Sequence, residues 1–351
     1  MNPAGSVIRV LVVDDSASSR ELLVGMLDAD PRVQVVGVAA DGEAGVAAAD
    51  RLRPDVITMD IHLPKLDGFG ATRRIMETCP TRVVMVTASF MPDEVAASFQ
   101  ALEAGALTVL AKPPGPGHPA FATARDDLLR TVALMAEVPV VRRWRAAAGR
   151  VARAGPPMVA QREVRIVAIG ASTGGPLVLQ VILSQLRPGF GAPVLIVQHI
   201  STGFAEGMGQ WLAESTGFPV RVARHGECPQ AGQAYVAPDD AQMKVQADGL
   251  IALVDEPADY GYRPSVGVLF RSVAEHHAQR AVGVLLTGMG QDGAAELKVL
   301  RDAGALTIVQ DSESAAIYGM PGEALRLNAA THVLSPPDIA AALNRLLERR
   351  S

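Results

Sequence analysis

Apolar runs alternate with helix-patterned segments in two blocks of this chain, and the runs are continuous rather than two-periodic. In the first block they are VIRVLVV (7–13), VQVVGV (33–38), DVITM (55–59), RVVMV (82–86) and GALTVLA (105–111). The segments between them carry apolar residues at helical spacing, such as Leu22, Leu23, Met26 and Leu27. A strand that is apolar on both faces is buried on both faces, which predicts a parallel sheet between helices. With a last helix near 121–137, the block reads as a (βα)5 unit with a five-stranded parallel sheet.

The alternation stops over 138–163, which holds six arginines and a Pro pair and reads as an interdomain linker. No aromatics interleave its basic residues as a nucleic-acid site would require, so a solvated arm is the expectation. From 164 the pattern resumes. It predicts strand 164–169, helix 176–186, strand 193–198, helix 204–215 and strand 220–223. Asp248-Gly249 between apolar runs marks a hairpin insertion. Helix 264–278, strand 281–286, helix 293–302, strand 305–310 and a terminal helix near 337–349 complete a doubly wound α/β domain with a mainly parallel sheet. The domain limits read as 1–125 (final helix to about 137) and 164–351.

The 351 residues suffice for two domains with separate cores. Hydrophobic residues make up 49 % but aromatics only 4 %, so the cores are built from Ala, Val and Leu. A net charge of −5 argues against a general nucleic-acid surface, and no basic recognition-helix pattern follows the linker. Cys79 and Cys228 lie outside any metal or redox spacing, which suits a reducing compartment. The N-terminal segment lacks a secretory pattern and no apolar run approaches ~20 residues. A cytoplasmic protein without membrane insertion is expected.

Polar residues at the carboxyl ends of the runs change the picture, because ligands of open α/β sheets bind there. In the first block Asp14 and Asp15 follow one strand, Asp60 ends another, and Thr87 and Lys112 follow two more. Three neighbouring carboxylates repel unless a hard cation such as Mg²⁺ sits among them, and such a cation also assists phosphoryl transfer to a carboxylate. Helix capping explains any one of these residues but explains all five poorly.

In the second block RIVAIG (165–170) leads to Ser172, VLIVQ (194–198) to His199, and VGVLLTGMG (282–290) to Asp292. GASTGGP (170–176) fits the G-x-S-x-G nucleophile elbow, although glycine-rich turns before helices also bind phosphate. His199 alone among the histidines directly follows a buried run. His276 and His277 fall on a predicted helix, His118, His225 and His62 in loops, and His332 at the start of a short strand. Asp292 can orient His199, cap the helix that follows, or do both. Asp311 is a weaker competitor, also at a strand end.

The strings LVVDDS (11–16), MDIHLPKLDG (59–68), VT (86–87) and AKP (111–113) resemble the receiver domain of two-component response regulators. The resemblance implies that Asp60 accepts phosphate from a sensor histidine kinase. Asp14 and Asp15 would help to hold Mg²⁺, and Thr87 and Lys112 would read the phosphate. Where receivers usually carry an aromatic, this chain has Val109.

With IGASTGGP (169–176), QH (198–199), YVAPDD (235–240), RPSVGVLF (263–270), LLTGMGQDGA (285–294) and YGMPGEA (318–324), the whole chain resembles the chemotaxis-type protein-glutamate methylesterases. That resemblance implies Ser172 as nucleophile, His199 as base, Asp292 as orienting acid and the Met289 N–H in an oxyanion hole. It implies methyl-accepting chemotaxis receptors as substrate. The same acyl-enzyme can form from a glutamine side chain with ammonia leaving, so deamidation is expected as a second activity. If the unphosphorylated receiver packs over the crevice, autoinhibition with 138–163 as hinge is expected. Gly267 and Gly322 stand where the family commonly has an acid and a base. A non-catalytic scaffold and a serine esterase acting on another substrate are the rival readings.

Overall fold

The computed structural model describes residues 7–88, 99, 102, 104–138 and 163–347. Nearly all of the expected linker lies outside the described residues. The chain folds as two compact units. None of the helices among the described residues is long and apolar enough to cross a membrane.

The first unit contains β1 (Ile8–Val13), β2 (Val33–Ala39), β3 (Val56–Asp60), β4 (Arg82–Thr87) and β5 (Thr108–Ala111). They form one parallel sheet in the order β2-β1-β3-β4-β5. The sheet is flanked by α1 (Ala17–Asp28), α2 (Gly42–Leu52), α3 (Gly68–Thr78) and α4 (Phe121–Glu137). Short polar side chains start the first three helices: Ser16, Asp41 and Asp67 accept from the N–H groups of Ser19, Ala44 and Gly70. Chain order reverses between β1 and β3, so Asp14 and Asp60 meet at the switch point of the sheet.

The second unit has a seven-stranded sheet ordered β14-β13-β12-β6-β7-β9-β8. Its strands are β6 (Ile166–Ala171), β7 (Val194–Gln198), β8 (Val220–Val222), β9 (Ala234–Val236), β12 (Ala281–Leu285), β13 (Leu306–Gln310) and β14 (His332–Leu334), and every pairing is parallel. The helices are α5 (Gly175–Ser184), α6 (Ala205–Thr216), α7 (Val266–His276), α8 (Ala294–Asp302), α9 (Met320–Arg326) and α10 (Pro336–Leu346). Antiparallel β10 (Gln242–Val245) and β11 (Ile251–Val254) form the expected hairpin, closed where the Gln246 N–H donates to Leu250 O at 2.9 Å. Here the chain reverses between β6 and β12. The crevice at that reversal receives the loops that carry Ser172 and Asp292.

Helix α7 packs tightly onto β6. A methyl group added at Gly170 would lie 2.2 Å from Val266 Cγ1, well inside van der Waals contact. Gly170→Ala is therefore expected to cost about 1–3 kcal/mol of stability through overpacking, read from the urea midpoint. An unchanged midpoint would mean that helix and strand are not packed this closely.

Candidate active site

Strand β6 delivers Ser172 into a sharp turn. The Ser172 N–H donates to Thr287 O at 3.0 Å, and the Gly175 N–H closes the turn onto Ser172 O at 2.8 Å. Gly174 adopts φ 79°, a left-handed conformation that favours glycine, and α5 begins immediately afterwards. On the neighbouring strand end the His199 N–H donates to Ala171 O at 2.9 Å. Buried Gln198 ties the two ends together, its Nε2 donating to Ser172 O at 2.7 Å and His199 O at 2.8 Å.

The histidine meets its carboxylate directly. His199 Nε2 and Asp292 Oδ2 are 2.8 Å apart. Nδ1 is buried and has no hydrogen-bond partner, so no hydrogen bond joins His199 to Ser172 in this structure. With Nε2 engaged, Nδ1 is the nitrogen left to exchange a proton with a serine. The phenol of Tyr262 lies on the imidazole, with ring centroids 3.8 Å and planes 1° apart.

Asp292 is fully buried, yet its charge is compensated. Oδ1 accepts from Ser265 Oγ at 2.8 Å and the Gly267 N–H at 2.9 Å, and Oδ2 accepts from the Val266 N–H at 2.8 Å. Those donors form the N-terminus of α7, where a negative charge is favoured. The expectation that Asp292 can cap its own following helix is corrected: α8 starts at Ala294 with Gly293 as its N-cap and no side-chain cap bond, and Asp292 serves α7 instead. Burial pushes the Asp292 carboxyl up. The His199 hydrogen bond and charge, with the Gly267 and Ser265 donors, outweigh it and hold the group below the usual carboxylate range. Asp311, the competing acid, instead accepts from the Ser314 N–H at 2.9 Å and Ser314 Oγ at 2.5 Å.

The loop after β12 stands over Ser172. A Cβ at Gly288 would lie 2.6 Å from Ser172 Cβ. The Gly288 carbonyl is held by the N–H groups of Gly319 at 3.1 Å and Met320 at 2.9 Å. The adjacent Met289 N–H has no acceptor among the described residues. A cleft of about 400 Å³ opens beside this loop, lined by Tyr260, Tyr262, Gly290, Gln291, Asp292, Gly319 and Glu323.

The departures at 267 and 322 have different surroundings. A Cβ on Gly267 would stand 3.0 Å from both Asp292 Oδ1 and Glu296 Oε2, so the Glu296 carboxyl fills the space that a side chain at 267 would enter. Glu296 is buried and pairs with Arg271 at 2.8 Å. A Cβ on Gly322 would meet the ring of Tyr318 first, at 3.1 Å.

In the first unit the ligand atoms of Asp14, Asp15 and Asp60 all lie within 4.8 Å of one another. Lys112 Nζ reaches Asp60 Oδ2 at 2.6 Å and Asp14 Oδ2 at 2.8 Å, and Ser19 Oγ donates to Asp14 Oδ2 at 2.7 Å. One lysine against three carboxylates leaves a cluster that a divalent cation fits. Burial pushes the Asp60 carboxyl up; Lys112 pulls it down, Asp14 pushes it up again, and it ends above the ordinary range. Burial lowers Lys112, but its two carboxylates prevail and raise it. Buried Thr87 pairs with Ala111 across β4 and β5, and its carbonyl accepts the Lys112 N–H at 2.7 Å. Val109 is buried in β5.

Sequence reasoning passed over Gln198, Tyr262, Ser265 and Glu296 as working parts. Ser265 after Pro264 carried a helix N-cap signal. Nothing in the local sequence marks Tyr262 as the residue that covers His199.

A five-stranded receiver-type sheet with a carboxylate trio, followed by a parallel-sheet unit with an aspartate–histidine pair beside a serine turn, defines a response regulator with an enzyme-like second half. The family model for the response regulator receiver domain matches residues 10–118, and that for CheB methylesterase matches 167–343. The chain belongs to the CheB methylesterase family. A Geobacter metallireducens relative named protein-glutamate methylesterase/protein-glutamine glutaminase 4 is 52 % identical over 343 residues, covering 97 % of this chain and 99 % of its own. A Nitrosospira multiformis protein-glutamate methylesterase/protein-glutamine glutaminase is 49 % identical over 352 residues, covering 98 % of each. The crystal structure of the Thermotoga maritima CheB methylesterase catalytic domain matches with TM-score 0.51 and 32 % identity, over 52 % of this chain and 98 % of that one.

Because its folded-state value lies below the unfolded one, ionised Asp292 adds stability that is complete above about pH 4 and is lost as pH falls through the folded value. Asp292→Asn is expected to destabilise the protein by about 2 kcal/mol or more at neutral pH. In urea titrations the gap from wild type should narrow on acidification below about pH 4. A gap that widens there would contradict the assigned compensation.

Proposed function

We propose that residues 164–351 hydrolyse glutamate γ-methyl esters, and deamidate glutamines, on methyl-accepting chemotaxis receptors, using Ser172, His199 and Asp292. The observation that carries this reading is the 2.8 Å bond between His199 and buried Asp292, set at the chain reversal beside the Ser172 turn in a CheB-family chain. Ser172 Oγ attacks the γ-carbonyl carbon while its proton passes to His199 Nδ1. Asp292 holds the ring through Nε2 and stabilises the imidazolium. The tetrahedral oxyanion lies against the Met289 N–H and the N-terminus of α5. Collapse breaks the C–O bond to methoxide, which takes the proton from Nδ1 and leaves as methanol. Water then attacks the glutamyl-serine ester, losing its proton to Nδ1, and Ser172 leaves with that proton, yielding glutamate. With glutamine the leaving group is ammonia, and protonation by His199 becomes essential.

Residues 1–125 act as the switch. Asp60 takes phosphate from a sensor histidine kinase, and Thr87 and Lys112 contact the phosphoryl oxygens. Asp14, Asp15 and Asp60 would hold Mg²⁺, which when bound supplies positive charge against the transferring phosphoryl group. The setting of this chemistry is the cytoplasm.

Methanol release from methyl-labelled receptor membranes tests the catalytic assignment. Ser172→Ala should lower release by about 10³-fold or more, and full release by that variant would refute the serine mechanism. Acetyl phosphate should raise wild-type release and label Asp60. Asp60→Asn should lose both effects, and undiminished labelling would remove Asp60 as the acceptor.

A further inference from the structure

Tyr262 is delivered by a tight turn. The Asp259 N–H donates to Tyr262 O at 3.0 Å and the Tyr262 N–H to Asp259 O at 2.9 Å, with Tyr260 and Gly261 between them at φ 50° and 81°. Gln242 braces the turn. Its Nε2 donates to the Tyr262 carbonyl at 3.3 Å, while its Oε1 accepts the Ser265 N–H at 2.8 Å. The backbone that places the tyrosine is thus fastened to the residue that donates to Asp292. The ring lies flat on His199 and also lines the 400 Å³ cleft.

Face-to-face stacking is the least favoured arrangement for two neutral aromatic rings, because their quadrupoles oppose. It becomes attractive when one ring is a cation above the negative face of the other. We propose that Tyr262 is a positioning residue for His199: its ring face holds the imidazole toward Asp292 and stabilises the imidazolium formed when Ser172 gives up its proton. The proposal rests on His199 being the base. A contact that strengthens as positive charge develops lowers the barrier rather than merely tightening binding. Among the described residues, the charged group touching the imidazole is Asp292. Behind Asp292 lie Glu296 and its partner Arg271, which also pairs with Asp259. Tyr260 and Glu323 stand on the cleft wall.

The test uses steady-state methanol release by the full chain. Tyr262→Phe keeps the ring face and should stay within about twofold of wild type. Tyr262→Leu removes the face and should lower kcat about three- to tenfold with little change in KM. Leucine also alters packing, so a second series keeps the ring shape: phenylalanine at 262 carrying one, two and three fluorines, which progressively weakens the negative face. Log kcat should fall stepwise with fluorine number. A flat series, or a Phe variant that falls as far as Leu, overturns the proposal. His199→Gln serves as the separate control: if it retains turnover, the base assignment fails, whereas an inactive His199→Gln with a flat series removes only the role of Tyr262.

Discussion

A single carboxylate with no access to solvent organises the second unit. Water would solvate Asp292 strongly, and burying its charge without partners would cost several kcal/mol. Three donors from the start of α7 and the imidazole of His199 replace that water. Each donor comes from a different stretch of chain than Asp292 itself. Satisfying the charge therefore pins the loop after β12, the front of α7 and the end of β7 to one another. The pairing of His199 with Asp292 and the local stability of the crevice are two outcomes of the same demand.

The two units share a way of making sites while using opposite chemistry. Both place their functional groups where a parallel sheet reverses its winding, at carboxyl ends of strands buried on both faces. In the first unit the carboxylates crowd together and keep excess negative charge, which calls for a cation. In the second the carboxylate receives three donors from the start of α7 and the imidazole of His199. What differs is how many carboxylates share the site: three stand together in the first unit with Lys112, whereas Asp292 alone receives the donors at the start of α7.

Much of this was legible in the chain because burial on both faces leaves a strong mark. Continuous apolar runs located the main strands, and Asp248-Gly249 located the hairpin turn. Strand β9 and helix α9 were passed over, and the seven residues of α9 are too short to display a helical period. The strand-end positions of Ser172, His199 and Asp292 could be read because a polar residue after a buried run has little packing purpose. Which helix Asp292 would serve could not be read. Its donors lie 25–27 residues upstream, and only the packing of α7 on β6 brings them to it. The same holds for the choice of imidazole nitrogen and for the ring of Tyr262, both set by contacts remote in sequence.

The Glu296 carboxyl beside the bare Cα of Gly267 has an evolutionary consequence. Either position can supply bulk and charge to that small volume, but both can do so only if the glutamate gives way, since a Cβ at 267 would already stand 3.0 Å from its carboxyl. An acid at 267 in company with Glu296 would also crowd a second anion against Asp292. Lineages should therefore exchange these two positions as a linked pair, passing through an intermediate in which the volume is left partly empty.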